Sequence, residues 1–110
     1  MAGTYKLRKS QDEKYFFNLL AENEETLLTS EMYSAKQGAK KGVESVRKSS
    51  KRDANYKRKQ SVRGLPCFVL VAANGEPIGN GEEYSSKEAM ENGIAAVKRI
   101  APGAAVKDIT

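Results

Sequence analysis

Two short apolar runs interrupt an otherwise mixed chain, Tyr15-Phe16-Phe17-Asn18-Leu19-Leu20-Ala21 and Cys67-Phe68-Val69-Leu70-Val71-Ala72. Their length, their aromatic and aliphatic content and the turn residues around them predict strands rather than helices. Asn74-Gly75 follows the second run and predicts a tight two-residue hairpin, because a type I′ turn needs positive φ at both positions. Asn23-Glu24 stands at the same place after the first run, so Glu24 either carries a left-handed cost of roughly 1 kcal/mol or widens the loop. The return strands are read as Thr26-Leu27-Leu28-Thr29-Ser30 and Pro77-Ile78-Gly79-Asn80. Proline and glycine make the second of these a weak strand, expected at an edge or bulged. Further strands are expected at 5–9 and 56–60, and a last one at 104–109.

Helices follow the return strands. Ser34-Ala35-Lys36-Gln37 and Ser85-Ser86-Lys87-Glu88 have the capping-box pattern, in which serine and the fourth side chain satisfy each other's amides. Beyond them Ala39, Val43 and Val46, and then Met90, Ile94 and Val97, recur at helical spacing, each set forming one apolar stripe. Gly42 and Gly93 lie on these stripes. A mid-helix glycine costs nearly 1 kcal/mol against alanine, so its presence in both predicts that the helix backbone approaches the sheet closely there. Pro102-Gly103 ends the second helix.

The two halves read alike because they are copies. A shift of 51 residues aligns positions 5–47 with 56–98 without a gap, and 14 of the 43 pairs are identical, several times the roughly 6% expected by chance from average composition. The identities include Tyr5 with Tyr56, Phe17 with Phe68, Leu19 with Leu70, Asn23 with Asn74, Tyr33 with Tyr84 and Gly42 with Gly93. At 110 residues neither copy has enough apolar area to stand alone. The expected fold is α+β: one domain over 1–110, made of two tandem β3-α-β units at about 1–53 and 54–110. The units share one antiparallel sheet, with both helices on one face and a pseudo-twofold between them.

The residues Ala73-Asn74-Gly75-Glu76, Glu82-Glu83-Tyr84-Ser85 and Asn92-Gly93-Ile94-Ala95-Ala96-Val97, with Lys41-Gly42-Val43-Glu44-Ser45-Val46 in the first copy, resemble the YegP-like family of small bacterial proteins. That resemblance covers nearly the whole chain. It implies tandem β3-α-β units on a single sheet, with the last strand of each unit exchanged into the other, and it implies no activity. Two segments depart from the family pattern: Glu24 replaces the turn glycine, and Gly79-Asn80-Gly81 replaces an aliphatic strand.

Composition narrows the chemistry. Hydrophobic residues make up 39% and charged residues 30% of the chain, a globular balance. No stretch is long and apolar enough to cross a bilayer, so no membrane partner is expected. Met1-Ala2-Gly3-Thr4-Tyr5-Lys6 lacks the apolar run of a secretory leader, and with the lone Cys67 this favours the cytoplasm. Histidine is absent, which removes the commonest general base and metal ligand. Cys67 sits in an apolar run with no base nearby and reads as an inert hydrophobe. The adjacent pairs Glu24-Glu25 and Glu82-Glu83 read as solvated surface, and Gly79-Asn80-Gly81 as a bulge rather than a phosphate cradle. No catalytic residue, metal site or cofactor is expected.

Two features invite a functional reading. The net charge of +5 is concentrated in the middle, where 36–63 holds eleven Lys and Arg against Glu44 and Asp53. Arg47, Lys48, Lys51, Arg52, Lys57, Arg58, Lys59 and Arg63 could track a phosphate backbone while Tyr56 stacks on a base. The plainer reading is a solvated linker whose cations favour the helix C-terminus. The second feature is strand alternation. With Phe17, Leu19, Phe68 and Leu70 turned to the helices, Phe16, Leu20, Val69 and Val71 line the opposite face, which is expected to serve as a homodimer interface if left bare. A small non-catalytic binding or interaction module of unknown ligand is the leading expectation, with weak, sequence-independent binding of nucleic acid or another polyanion through 47–63 as the alternative. Function is expected where the copies differ.

Overall fold

The computed structural model describes residues 3–110; Met1 and Ala2, the start of the segment read as lacking a leader, lie outside them. Seven strands form one sheet: β1 (Thr4–Lys9), β2 (Tyr15–Leu20), β3 (Thr26–Ser30), β4 (Tyr56–Gln60), β5 (Pro66–Val71), β6 (Pro77–Asn80) and β7 (Ala105–Asp108). Helix α1 (Lys36–Ser49) joins β3 to a short 3₁₀ turn (Asp53–Asn55), and α2 (Lys87–Ile100) joins β6 to β7. The spatial order is β4-β5-β6-β3-β2-β1-β7.

The two β3-α units meet at the centre of the sheet, where β3 and β6 pair antiparallel with Thr29 opposite Asn80. These two residues are counterparts under the 51-residue shift, so the pseudo-twofold passes between them. The second return strand is therefore central, not at an edge as its proline and glycines suggested. Pro77 takes the first position of β6, where a missing N–H is tolerated. The glycines admit neighbours: a Cβ on Gly79 would lie 2.8 Å from Leu28 Cγ, and one on Gly81 would enter the Phe68 ring. A register shift falls between Leu19 and Leu20 and again between Leu70 and Val71, so the expected irregularity is present in both copies.

Both helices pack on one face over a common core of Tyr5, Leu7, Phe17, Leu19, Phe68 and Leu70 with Ala39, Val43, Val46, Met90, Ile94 and Val97. The predicted stripes are the buried ones. Their glycines make room for tyrosine: a Cβ on Gly42 would collide with the hydroxyl of Tyr33, and one on Gly93 with that of Tyr84. Each of these rings stacks on the sheet phenylalanine of its own copy, Tyr33 on Phe17 at 6.5 Å and Tyr84 on Phe68 at 6.3 Å.

The hairpin tips and helix starts differ in detail from expectation. Glu24 has φ +69° and Gly75 φ +87°, while neither Asn23 nor Asn74 is left-handed. The Glu24 N–H donates to the Ala21 carbonyl, and that of Gly75 to Ala72. This is a turn closed by one left-handed residue, the three-residue hairpin loop and not type I′. The serine boxes are unused. The N-cap of α1 is Ala35, without a side-chain cap, and that of α2 is Ser86, whose hydroxyl accepts from Ala89 N.

Strand exchange runs one way. β7 leaves the second unit and pairs with β1, parallel, at the edge of an otherwise antiparallel sheet. The first unit's corresponding segment, 54–57, is spent on the end of the 3₁₀ turn and the start of β4, because the chain runs from α1 through that turn straight into the strand. β4 therefore keeps the open edge that β1 has lost.

Gly93→Ala should lower the unfolding free energy measured in urea by about 1–2 kcal/mol. Overpacking against Tyr84 costs about 1–3 kcal/mol and outweighs the gain of nearly 1 kcal/mol in helix propensity. Gly103→Ala, with no atom within 4 Å of its new Cβ, should leave stability unchanged.

Candidate functional site

The open β4 edge is where the two copies differ most. Alternation along β4 turns Tyr56 and Arg58 to the helix side and Lys57 and Lys59 to the bare face. Tyr56 is 3% exposed, and its hydroxyl donates to the Ser50 carbonyl at 2.8 Å. It cannot stack on a base, contrary to the sequence reading. Its counterpart Tyr5 donates to the Ala101 carbonyl at 2.7 Å. Burial pushes both phenols above their usual range, with Arg47 opposing the rise at Tyr5.

Arg58 stands where the first copy has the buried Leu7, and Glu91 stands where it has Lys40. The paired change is an ion pair: Arg58 Nε and Nη2 donate to Glu91 at 2.6 and 3.0 Å. Arg58 Nη2 also reaches Asp53 at 2.8 Å, and Lys98 Nζ reaches the same carboxylate at 2.7 Å. Hydrogen bonds from Arg58 and then Lys98 hold the Asp53 carboxyl down to about 2. A cleft of about 280 Å³ follows along the edge, lined by Arg58, Lys59, Gln60, Pro66, Lys87 and Met90. Sequence reading missed this cluster. The signal was present as the joint replacement of Leu7 and Lys40 by Arg58 and Glu91.

The nine residues of the predicted basic site therefore divide. Arg47 is engaged in the fold, bonded to Glu44 and the Ala104 carbonyl and lying 5.4 Å from the Tyr5 ring centre. Arg58 is tied down as above, and Arg63 pairs with Glu83 at 3.0 Å. Lys48, Lys51, Arg52, Lys57 and Lys59 are exposed and form no ion pair among the described residues. They run from the end of α1 onto β4.

The bare sheet face is less apolar than alternation implied. Leu20 and Val71 are only 5% and 6% exposed, while Phe16 and Val69 are half-buried. Between them Arg8 Nε donates to Asn18 at 2.7 Å, and Asn18 Nδ2 donates to Thr29. Cys67 is buried.

Two larger clefts, of about 610 and 850 Å³, are related by the pseudo-twofold. One joins Glu31, Tyr33 and Gly42 to Asn74 and Glu76 of the opposite hairpin; the other joins Glu82, Tyr84 and Gly93 to Asn23 and Glu25. Repeat-identical residues thus line both, a placement that the spacing of the repeats did not reveal.

Known proteins share this arrangement. The profile of the family described as a domain of unknown function (DUF1508) matches residues 10–57 and again 61–108. The chain belongs to the DUF1508 family. A UPF0339 protein of Bordetella pertussis is 46% identical over 110 residues, covering 100% of this chain and 98% of its own length. The UPF0339 protein YegP of Escherichia coli is 43% identical over 110 residues, covering both chains in full. The solution structure of the Escherichia coli YegP, described as a protein of unknown function, superposes with a TM-score of 0.94 over 100% of this chain and 95% of that one. A UPF0339 protein from Shewanella oneidensis gives 0.93 at 41% identity, over 100% and 93%. The resemblance to the YegP-like family and the two-unit α+β fold are thereby borne out, and these relatives' names state no activity. Among the described residues, no helix of the DUF1508 chain is long and apolar enough to cross a membrane.

The raised tyrosines fix the sign of the alkaline response. Tyr5 and Tyr56 keep their protons in the folded chain at pH values where the unfolded chain loses them. Their contribution is complete below about pH 10 and falls above it, by up to about 1.4 kcal/mol per pH unit for each group. Urea titrations between pH 8 and 11.5 should show that loss. Tyr56→Phe should reduce the slope and cost about 1–2 kcal/mol at neutral pH, since the Ser50 carbonyl loses its donor.

Proposed function

We propose that the chain is a small non-catalytic binding module that engages an anionic partner through its β4 side. Its two repeats, divided near residue 53, act as one domain in the cytoplasm. The observation that carries this reading is the run of exposed cations without carboxylate partners among the described residues, Lys48, Lys51, Arg52, Lys57 and Lys59, leading from α1 onto the open edge strand. The acidic residues in reach, Asp53 and Glu91, are already taken by Arg58 and Lys98. The lack of histidine and the burial of the single cysteine support a non-catalytic role. Sequence-independent nucleic-acid binding through 47–63 draws on the same cations but without Tyr56 as a stacking platform. Self-association through the bare face would rest on Phe16 and Val69, since Leu20 and Val71 are covered.

Heparin serves as a generic polyanion to test the reading. The protein should be retained at low salt and released steeply as salt rises, because counterions compete for the cations. The double variant Lys57→Glu, Lys59→Glu should elute at clearly lower salt than the charge-matched Lys14→Glu, Lys40→Glu. Equal elution of the two variants, or no retention of the parent, refutes the assignment.

A further inference from the structure

The molecule contains its own example of how an edge strand is covered. β7 lies parallel along β1, with the Ile109 N–H donating to the Leu7 carbonyl at 3.0 Å. Its Asp108 is held from the helix layer by Lys36 Nζ at 3.0 Å. Under the 51-residue shift Leu7 becomes Arg58, Lys36 becomes Lys87 and β1 becomes β4, whose outer edge carries no strand among the described residues. Lys87 is exposed, has no ion-pair partner among the described residues and lines the cleft at that edge. The clamp for an acidic side chain has been duplicated without its acid.

We propose that the β4 edge is a docking lane for an extended acidic segment of a partner protein, added parallel to β4 as an eighth strand with its carboxylate on Lys87. This deepens the anionic-partner reading and rests on it. The Tyr56 end of the lane is occupied: its N–H donates to the Asp53 carbonyl, and its own carbonyl faces Arg58 Nη1 at 3.4 Å. The main chain of Arg58 and Gln60 beside the cleft remains for the incoming strand, in the manner of strand addition. An acid placed as Asp108 is on β7 would meet Arg58 in register as well as Lys87. Lys57 and Lys59 alongside discourage pairing with a neutral or basic strand, as edge lysines commonly do, and favour an acidic one. Charge complementarity therefore selects an acidic peptide over a second copy of the chain, whose β7 carries Lys107 beside its aspartate.

The probe is a synthetic peptide of residues 104–110 carrying Lys107→Glu, titrated into the ¹⁵N-labelled full-length protein. The amides of Arg58 to Ser61 and those of Lys87 and Met90 should shift. Lys87→Glu should weaken the peptide at least ~10-fold, while Lys14→Glu, remote from the lane, should not. Both substitutions are at exposed positions, and the remaining amide spectrum reports that each variant is folded. Absence of binding, shifts confined to the bare face or to β1 and β7, or equal weakening by the two variants overturns the proposal. So does a single-stranded oligonucleotide that shifts the same amides and displaces the peptide. If the peptide fails while heparin retention still depends on Lys57 and Lys59, the lane is wrong and the anionic-partner reading survives; if both fail, both are wrong.

Discussion

Two hydroxyls hold this architecture together. Tyr5, at the start of the first repeat, donates to the carbonyl that ends the helix of the second, and Tyr56, at the start of the second, donates to the carbonyl that ends the helix of the first. A helix leaves its last carbonyls without internal partners, and here each repeat supplies the missing donor to the other. Around each tyrosine the same shell recurs. Tyr5 meets Phe17 at 5.8 Å with Arg47 over the ring, and Tyr56 meets Phe68 at 5.7 Å with Lys98 over the ring. Neither helix can be seated without the opposite sheet, so the core is shared by necessity. The pairing of Thr29 with Asn80 sets the central register from which both tyrosines take their reach.

Duplication breaks where the chain must remain continuous. A single polypeptide can send a strand from the second repeat back to the first, but the first repeat's tail is consumed in starting the second. The residues around the vacancy have changed to suit. Leu7 becomes Arg58 and Lys40 becomes Glu91, while Ala104, buried beside β7, has the exposed Asp53 as its counterpart. Where β7 lies on β1, one copy has apolar packing; the other has a surface charge cluster at a solvated edge. Individually such exposed pairs contribute little, so the cluster is better understood as keeping Arg58 and Lys98 in place than as a source of stability.

Much of this was legible in the sequence, because repetition and periodicity are properties of position alone. The strands, the helix stripes and the recurrence of a glycine on each stripe follow from spacing, and backbone sterics left Glu24 two alternatives, of which the left-handed one is found. What escaped were the features decided by tertiary contact. Pro77 and Gly79 look like edge residues until Leu28 is seen to need the space. Ser34 looks like a cap, yet the helix begins later. Tyr56 looked like an exposed aromatic among cations, although its identity with Tyr5 already pointed to a shared structural task. The tying of Arg58 was readable only by comparing the copies, since the carboxylate of Glu91 is 33 residues away and the joint replacement of Leu7 and Lys40 is the sign that they meet.

The one-way strand exchange also carries a message about time. β1 precedes both helices and β7 follows both, yet they lie side by side with Thr4 opposite Ala105. Until residues 101–108 are in place, the outer edge of β1 has no partner strand and the Tyr5 hydroxyl has no Ala101 carbonyl to donate to. Pairings of such long sequence separation form late, and here β7 closes β1 across both repeats.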